Sequence, residues 1–135
     1  MKYLLDTNMC IFIIRKKPAM VLQRLSAEPL GAVGVSTITV AELSYGVQKS
    51  QAILQNQQAL EHFLLPLVLV DFDLHAAATY GVVRADLERK GTPIGAMDML
   101  IGAHALTMDV TLVTNNTKEL QRIPQLRLED WSIVP

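Results

Sequence analysis

The chain contains a single cysteine, Cys10, and so cannot close an internal disulfide; one free thiol fits a reducing compartment. It also lacks an excess of either charge, with 12 Lys and Arg against 13 Asp and Glu and a formal net charge of −1. Proteins that coat nucleic acid are usually strongly basic, because neutralising phosphates drives their affinity. Any nucleic-acid binding here has to run through a local patch and a metal, so the balance favours an enzyme with a defined site or a protein with a basic partner. Long hydrophobic runs are missing too. The longest, near residues 9–14 and 63–70, fall short of the ~20 residues that cross a bilayer, and an acid at position 6 interrupts the N-terminus where a secretion signal would be apolar. The expectation is a soluble, cytoplasmic protein with no membrane partner.

Several chemistries are excluded or weakened in the same way. His62, His75 and His104 are scattered without zinc-ligand spacing. No Gly-rich phosphate loop is present, and no nucleophile elbow supports a Ser-His-Asp arrangement. His104, on an apolar segment, reads as a hydrogen-bonded core histidine, and Cys10 with Met9 as core packing. There is no internal repeat and no low-complexity stretch.

What is there is apolar material: half of the 135 residues are hydrophobic, 19% are charged, and the mean hydropathy is +0.28. That supports one real core and excludes a disordered chain. The length fits a single domain over 1–135. Short apolar runs alternate with longer helical patterns, the signature of an α/β fold with a mostly parallel sheet. Strands are predicted at 2–5, 32–36, 68–70 and 111–114, with an edge strand at 126–128. Helices are predicted over 8–15, 18–27 (opening on Pro18), 37–49, 51–64, 74–90 and 96–107, with a short one near 117–121. In the 74–90 helix, Ala77, Tyr80, Val83, Ala85 and Leu87 are read among the apolar positions, and Gly91 as its stop. The 96–107 segment is apolar nearly all round, which predicts a buried helix.

Three carboxylates stand where apolar segments begin or end: Asp6 after the first strand, Glu42 inside an apolar helix, and Asp98 in the first turn of the buried helix. Asn115 and Asn116 follow the strand at 111–114. In open α/β sheets ligands bind beyond the carboxyl ends of strands, which places Asp6 and Asn116 in one cleft. Each acid also has a structural explanation. Asp6 suits a helix N-cap, Glu42 follows Thr39 at capping-box spacing, and Asp98 suits a helix N-terminus. Together they are harder to explain this way, because no Lys or Arg immediately flanks Asp6 or Asp98, and a carboxylate among Met97, Met99, Leu100 and Ile101 needs compensation. Oxygen-only ligands suit Mg²⁺ or Mn²⁺.

Leu5-Asp6-Thr7-Asn8, Thr39-Val40-Ala41-Glu42-Leu43-Ser44-Tyr45-Gly46, the run from Pro93 through Asp98 to Ala105, and Leu112-Val113-Thr114-Asn115-Asn116 resemble the ordered motifs of PIN domains. More narrowly they resemble the VapC toxins of bacterial VapBC toxin–antitoxin systems, and the tail Leu128-Glu129-Asp130-Trp131 is similar to that of enteric-type members. The resemblance spans essentially the whole chain. It implies a three-layer α/β/α sandwich and a Mg²⁺- or Mn²⁺-dependent endoribonuclease, acting on tRNA and on initiator tRNA in particular. It also implies neutralisation by a VapB-type antitoxin, and homodimers that join larger assemblies with it.

The same resemblance assigns Asp6 and Asp98 as the principal metal ligands and Glu42 as a third acid. Thr7, Asn8 and Thr114 fall at positions that order the site. Many PIN domains carry a fourth acid where this chain has Asn116, whose amide oxygen can coordinate without adding charge. Glu119, three residues on, is the candidate to compensate. Substrate contacts are assigned to Arg15, Lys16, Lys17, Arg84, Arg89, Lys90 and Lys118. Leu43, Val47, Ile53, Leu54, Leu60, Phe63 and Leu64 supply either core or a groove for an antitoxin helix. An aspartyl phosphatase is disfavoured because Asn8 stands where its second Asp belongs, and a receiver because Asn115-Asn116 lacks the late Lys. A catalytically weak PIN-like RNA-binding or regulatory module is the remaining alternative.

Overall fold

Residues 1–134 are described by the structure, a computed structural model. In chain order the elements are β1 (Tyr3–Leu5), α1 (Thr7–Arg15), α2 (Ala19–Ser26), β2 (Val33–Ser36), α3 (Thr37–Gln48), α4 (Ile53–Leu64), β3 (Val68–Val70), α5 (Leu74–Arg89), α6 (Ala96–Met108), β4 (Thr111–Val113), α7 (Thr117–Leu120) and β5 (Leu128–Glu129). The strands form one parallel sheet in the order β3-β2-β1-β4-β5. No described helix is long and apolar enough to cross a membrane.

Because side chains alternate across a strand, β1 feeds two cores. Tyr3 and Leu5 pack with Met9, Cys10, Val21, Leu43, Val47 and Leu60, so that α1 to α4 cover one face. Leu4 packs with Val83, Leu87, Met99, Ile101 and Leu120, so that α5 to α7 cover the other. This is the expected three-layer α/β/α sandwich. Gly34 lets β2 and β3 approach: a Cβ there would meet the Val68 carbonyl oxygen at 2.8 Å. Near β5, Trp131 meets Tyr3 edge-on at 5.2 Å, and Arg24 lies 5.1 Å from the Trp131 ring while pairing with Glu129 at 3.1 Å.

Three expectations shift. The edge strand forms at Leu128–Glu129 rather than at 126–128, because backbone pairing with Leu112 and Val113 sets its register. On α5 it is Ala76, not Ala77, that is buried beside Val83 and Leu87, since spacings of seven and four keep these three on one stripe. Pro18 sits at the N-cap, one residue before α2. The remaining helices and strands lie within a residue or two of their predicted ends, and Gly91 does follow α5 with a positive φ of 69°.

Candidate active site

The strand order places β1 between its halves: β2 and β3 extend to one side, β4 and β5 to the other. All strands are parallel, so their carboxyl ends share one rim, and the reversal of strand order between the neighbours β1 and β4 opens a crevice there. Asp6 leaves β1 at this rim and Thr114 leaves β4. They are stitched together by the Asp6 amide, which donates to the Val113 carbonyl at 3.0 Å.

Asp6 is both the N-cap of α1 and part of the acidic cleft. Its Oδ1 accepts from the Met9 amide at 2.9 Å, and only 3% of the residue is exposed. Burial pushes its carboxyl up to about 6, with Asp98 and Glu42 adding to the rise and hydrogen bonds from Thr114 and Met9 opposing it. Asp6 takes part in none of the ion pairs among the described residues.

Glu42 sits on the second turn of α3. Its partner is not Thr39: the N-cap of α3 is Ser36, whose Oγ accepts from the Ile38 amide at 3.1 Å, and Thr39 lies inside the helix, buried. The capping-box reading is therefore replaced by a contact across the fold. The Thr7 hydroxyl donates to Glu42 Oε1 at 2.5 Å and also lies 3.3 Å from Thr39 Oγ1. Thr7 thus orders Glu42 from the start of α1.

Asp98 lies in the first turn of α6. Burial raises its carboxyl, as does Glu119, while Asn116 opposes the rise. The Asn116 amide nitrogen donates to Asp98 Oδ2 at 3.0 Å and to Glu119 Oε2 at 3.2 Å. It bridges two acids as a donor, where the sequence pointed to its oxygen as a ligand. The Thr114 hydroxyl accepts from the Asn116 amide at 2.9 Å, which holds this turn against β4.

Asp6, Thr7, Asn8, Glu42, Gly95, Ala96, Met97 and Asp98 line a cleft of about 350 Å³. The acids surround this cleft rather than meeting at a point: among the described residues no three acidic, His or Cys side chains are already drawn together as a metal cluster. Asp98 is held by Asn116 and Glu42 by Thr7. The donor set is nevertheless all oxygen, and Asp6, Glu42 and Asp98 form no ion pair with a Lys, Arg or His among the described residues. A hard divalent ion fits these residues.

The basic candidates are dispersed. None lines the cleft, and only Arg15 reaches the adjoining groove of about 930 Å³, which shares Thr7, Asn8, Glu42 and Met97 with it. Lys16 and Lys17 follow Arg15 and are exposed. On α5, Arg84 pairs with Glu88 and Lys90 with Asp86, while Arg89 is exposed, as is Lys118 on α7. Of the apolar α3–α4 positions, Leu43, Val47 and Leu60 belong to the core although they also line the groove; Ile53 and Leu54 are exposed, and Phe63 and Leu64 are partly buried against the core.

Tyr45 and Lys49 carry no role that the sequence alone assigns. Tyr45 is 67% exposed and Lys49 Nζ stands 5.1 Å from its ring centre, both on the groove wall. The signal was an aromatic three residues after Glu42, one helical turn along the same face.

A PIN domain family model matches residues 3–126. The tRNA(fMet)-specific endonuclease VapC of Shigella flexneri is 42% identical over 132 residues, covering 98% of this chain and 99% of its own. Ribonuclease VapC2 of Rickettsia felis is 45% identical over 132 residues, covering 97% and 98%. Among solved structures, DNA-bound VapBC from Salmonella typhimurium superposes with a TM-score of 0.92 at 43% identity, over 97% of this chain and 98% of that one. Matched along nearly its whole length in sequence and in fold, the chain belongs to the PIN-domain family, among its VapC ribonucleases.

Proposed function

We propose that the chain is the endoribonuclease toxin of a VapBC-type toxin–antitoxin pair, cutting tRNA, initiator tRNA in particular, with the help of Mg²⁺ or Mn²⁺. One observation carries the reading: acids from three separate elements, Asp6 after β1, Glu42 on α3 and Asp98 on α6, border one cleft at the sheet's switch point. The tRNA assignment is supported by relatives named tRNA(fMet)-specific endonuclease VapC at 42% and 43% identity. The antitoxin partner is supported by VapBC structures with TM-scores of 0.92 and 0.89.

In this reading Asp6 and Asp98 hold the cation, with Glu42 in support and Asn116 and Glu119 beside it. The ion, when bound, supplies charge neutralisation at the phosphate and makes water a better nucleophile. The chain's own residues set the geometry. Asp6 is fixed by the Met9 amide and Thr114, and Glu42 Oε1 is fixed by Thr7. Glu42 Oε2 has no hydrogen-bond partner among the described residues, which leaves it free to orient the attacking water or accept its proton. Burial keeps competing water from Asp6.

Arg15, Lys16, Lys17, Arg89 and Lys118 are the exposed cations proposed to meet RNA phosphates, while Arg84 and Lys90 would have to exchange their glutamate and aspartate partners for them. Antitoxin is proposed to lie against the α3–α4 face, where Ile53 and Leu54 are exposed. The test is cleavage of initiator tRNA with and without Mg²⁺ or Mn²⁺ by the parent, Asp6→Asn and Asp98→Asn. Each substitution is expected to lower the rate at least about a thousand-fold, since the ion supplies several kcal/mol, with the circular dichroism spectrum unchanged. Retained cleavage in either variant would overturn the assignment. Growth arrest on expression without antitoxin separates a toxin from an inert PIN-like module.

A further inference from the structure

The groove beside the cleft shares Glu42 with it and extends away from Asp6 and Asp98 along α3 and α4. Its wall carries Tyr45, exposed over two thirds of its surface, and its cations are Arg15 and Lys49. Neither cation takes part in an ion pair among the described residues, whereas Arg24, Arg84, Lys90 and Arg127 all do. In a chain with no net positive charge, the unpaired Lys49 stands 5.1 Å from the exposed Tyr45 ring, and the unpaired Arg15 lines the same groove.

Glu42 and Tyr45 are three residues apart on α3, which puts their Cβ atoms about 5–6 Å apart on one face. Groove and cleft share Thr7, Asn8, Glu42 and Met97, so the two are continuous. An exposed ring with one cation beside it and a second in the same groove can stack an unpaired base and grip its phosphate.

We propose that Tyr45, with Lys49 and Arg15, forms a nucleotide subsite: Tyr45 stacks an unpaired base adjoining the cleaved phosphate, and the two cations hold the backbone leaving the cleft. This rests on the ribonuclease reading above and adds where the substrate strand lies. It also assigns recognition to single-stranded RNA, because a base inside a helix cannot reach the ring.

The test is steady-state cleavage of an initiator tRNA transcript by the parent, Tyr45→Ala, Tyr45→Phe and Lys49→Gln, together with the affinity of each for cognate antitoxin. Tyr45→Ala is expected to raise KM roughly ten-fold or more, the scale of one lost base stack, with a smaller change in kcat. Tyr45→Phe should keep the parent KM, since stacking needs the ring and not the hydroxyl. Lys49→Gln should flatten the dependence of log KM on log salt by roughly 0.7 for one single-strand phosphate contact. A parent-like KM for Tyr45→Ala overturns the subsite, and so does an effect confined to antitoxin affinity, which would give the ring to the protein partner. No cleavage by the parent itself would instead remove the ribonuclease reading, and the subsite with it.

Discussion

Asn116 donates its amide hydrogens to Asp98 at 3.0 Å and to Glu119 at 3.2 Å, and so keeps two acids that repel one another in place around a neutral group. Without it, Asp98 and Glu119 would face each other with nothing between them but solvent, and Glu119 already raises the Asp98 carboxyl.

Asn116→Asp therefore exchanges a donor for a third negative charge. The metal-free protein should lose on the order of 1 kcal/mol or more, a fall of a few degrees in Tm. Added Mn²⁺ should raise Tm further in the variant than in the parent, because the extra carboxylate binds the ion more tightly. Thermal melts in chelator and in Mn²⁺ check both halves. An unchanged metal-free Tm would mean that the bridge contributes nothing.

The buried Asp6 makes stability depend on pH in a defined direction. Its folded-state value of about 6 lies above the ordinary 3.8. Below about 3.8 it is protonated in both states, and its stabilisation relative to the ionised form is fully present. As pH rises through 6 the folded protein must ionise a buried group, and that stabilisation is lost, on the order of 3 kcal/mol in all. In chelator, the urea midpoint of Asp6→Asn should exceed that of the parent at pH 7.5, and the difference should shrink towards pH 4. A constant difference across this range would show that Asp6 does not titrate as its burial requires.

Thr7→Val removes the hydroxyl that holds Glu42 Oε1 while keeping the shape of the side chain. Hydrogen bonds to charged groups contribute about 1.5–3 kcal/mol, so cleavage should slow roughly ten-fold or more through kcat, with little change in KM. Single-turnover rates at saturating enzyme measure this directly. A loss confined to KM would place Thr7 in substrate binding instead.

His104 is the core histidine that the sequence suggested, only 1% exposed, with Nδ1 2.8 Å from Ser36 Oγ. Ser36 Oγ accepts from the Ile38 amide, so its proton is free to go to His104 Nδ1, which burial keeps in the neutral ring by lowering the histidine value. His104→Leu strands that hydroxyl in the core and should cost about 1–3 kcal/mol. His104→Asn, which restores an acceptor near the Nδ1 position, should recover part of it. Guanidinium unfolding of both variants against Ser36→Ala tests the pairing through a double-mutant cycle.

Most of the architecture was legible because local pattern and global burial agree. Leu4 and Leu5 had to be a strand buried on both faces, and residues 96–107 a central helix. That the acids border one cleft was legible as well, since a carboxylate among Met97, Met99 and Ile101 with no flanking Lys or Arg needs compensation from elsewhere in the fold. What was not legible depends on partners distant in sequence. Whether Thr39 or Ser36 caps α3 depends on where β2 ends, which its pairing with β1 and β3 decides. That Asn116 turns its nitrogen to the acids depends on Glu119 and Asp98 arriving from two helices. Tyr45 was passed over because exposure cannot be read from periodicity when the neighbouring Leu43 and Val47 are buried.

The strand order has one more consequence. Glu42 rides on a helix packed into one core and Asp98 on a helix packed into the other, while Asp6 directly follows the strand that divides them. The cleft is thus a gauge of how the two layers sit across the sheet. Trimming a side chain deep in either layer, such as Val21 or Leu87, would tilt one acid relative to its partners without touching the cleft. A conditional form of the enzyme, active when cool and silent when warm, can accordingly be sought among core positions far from the site.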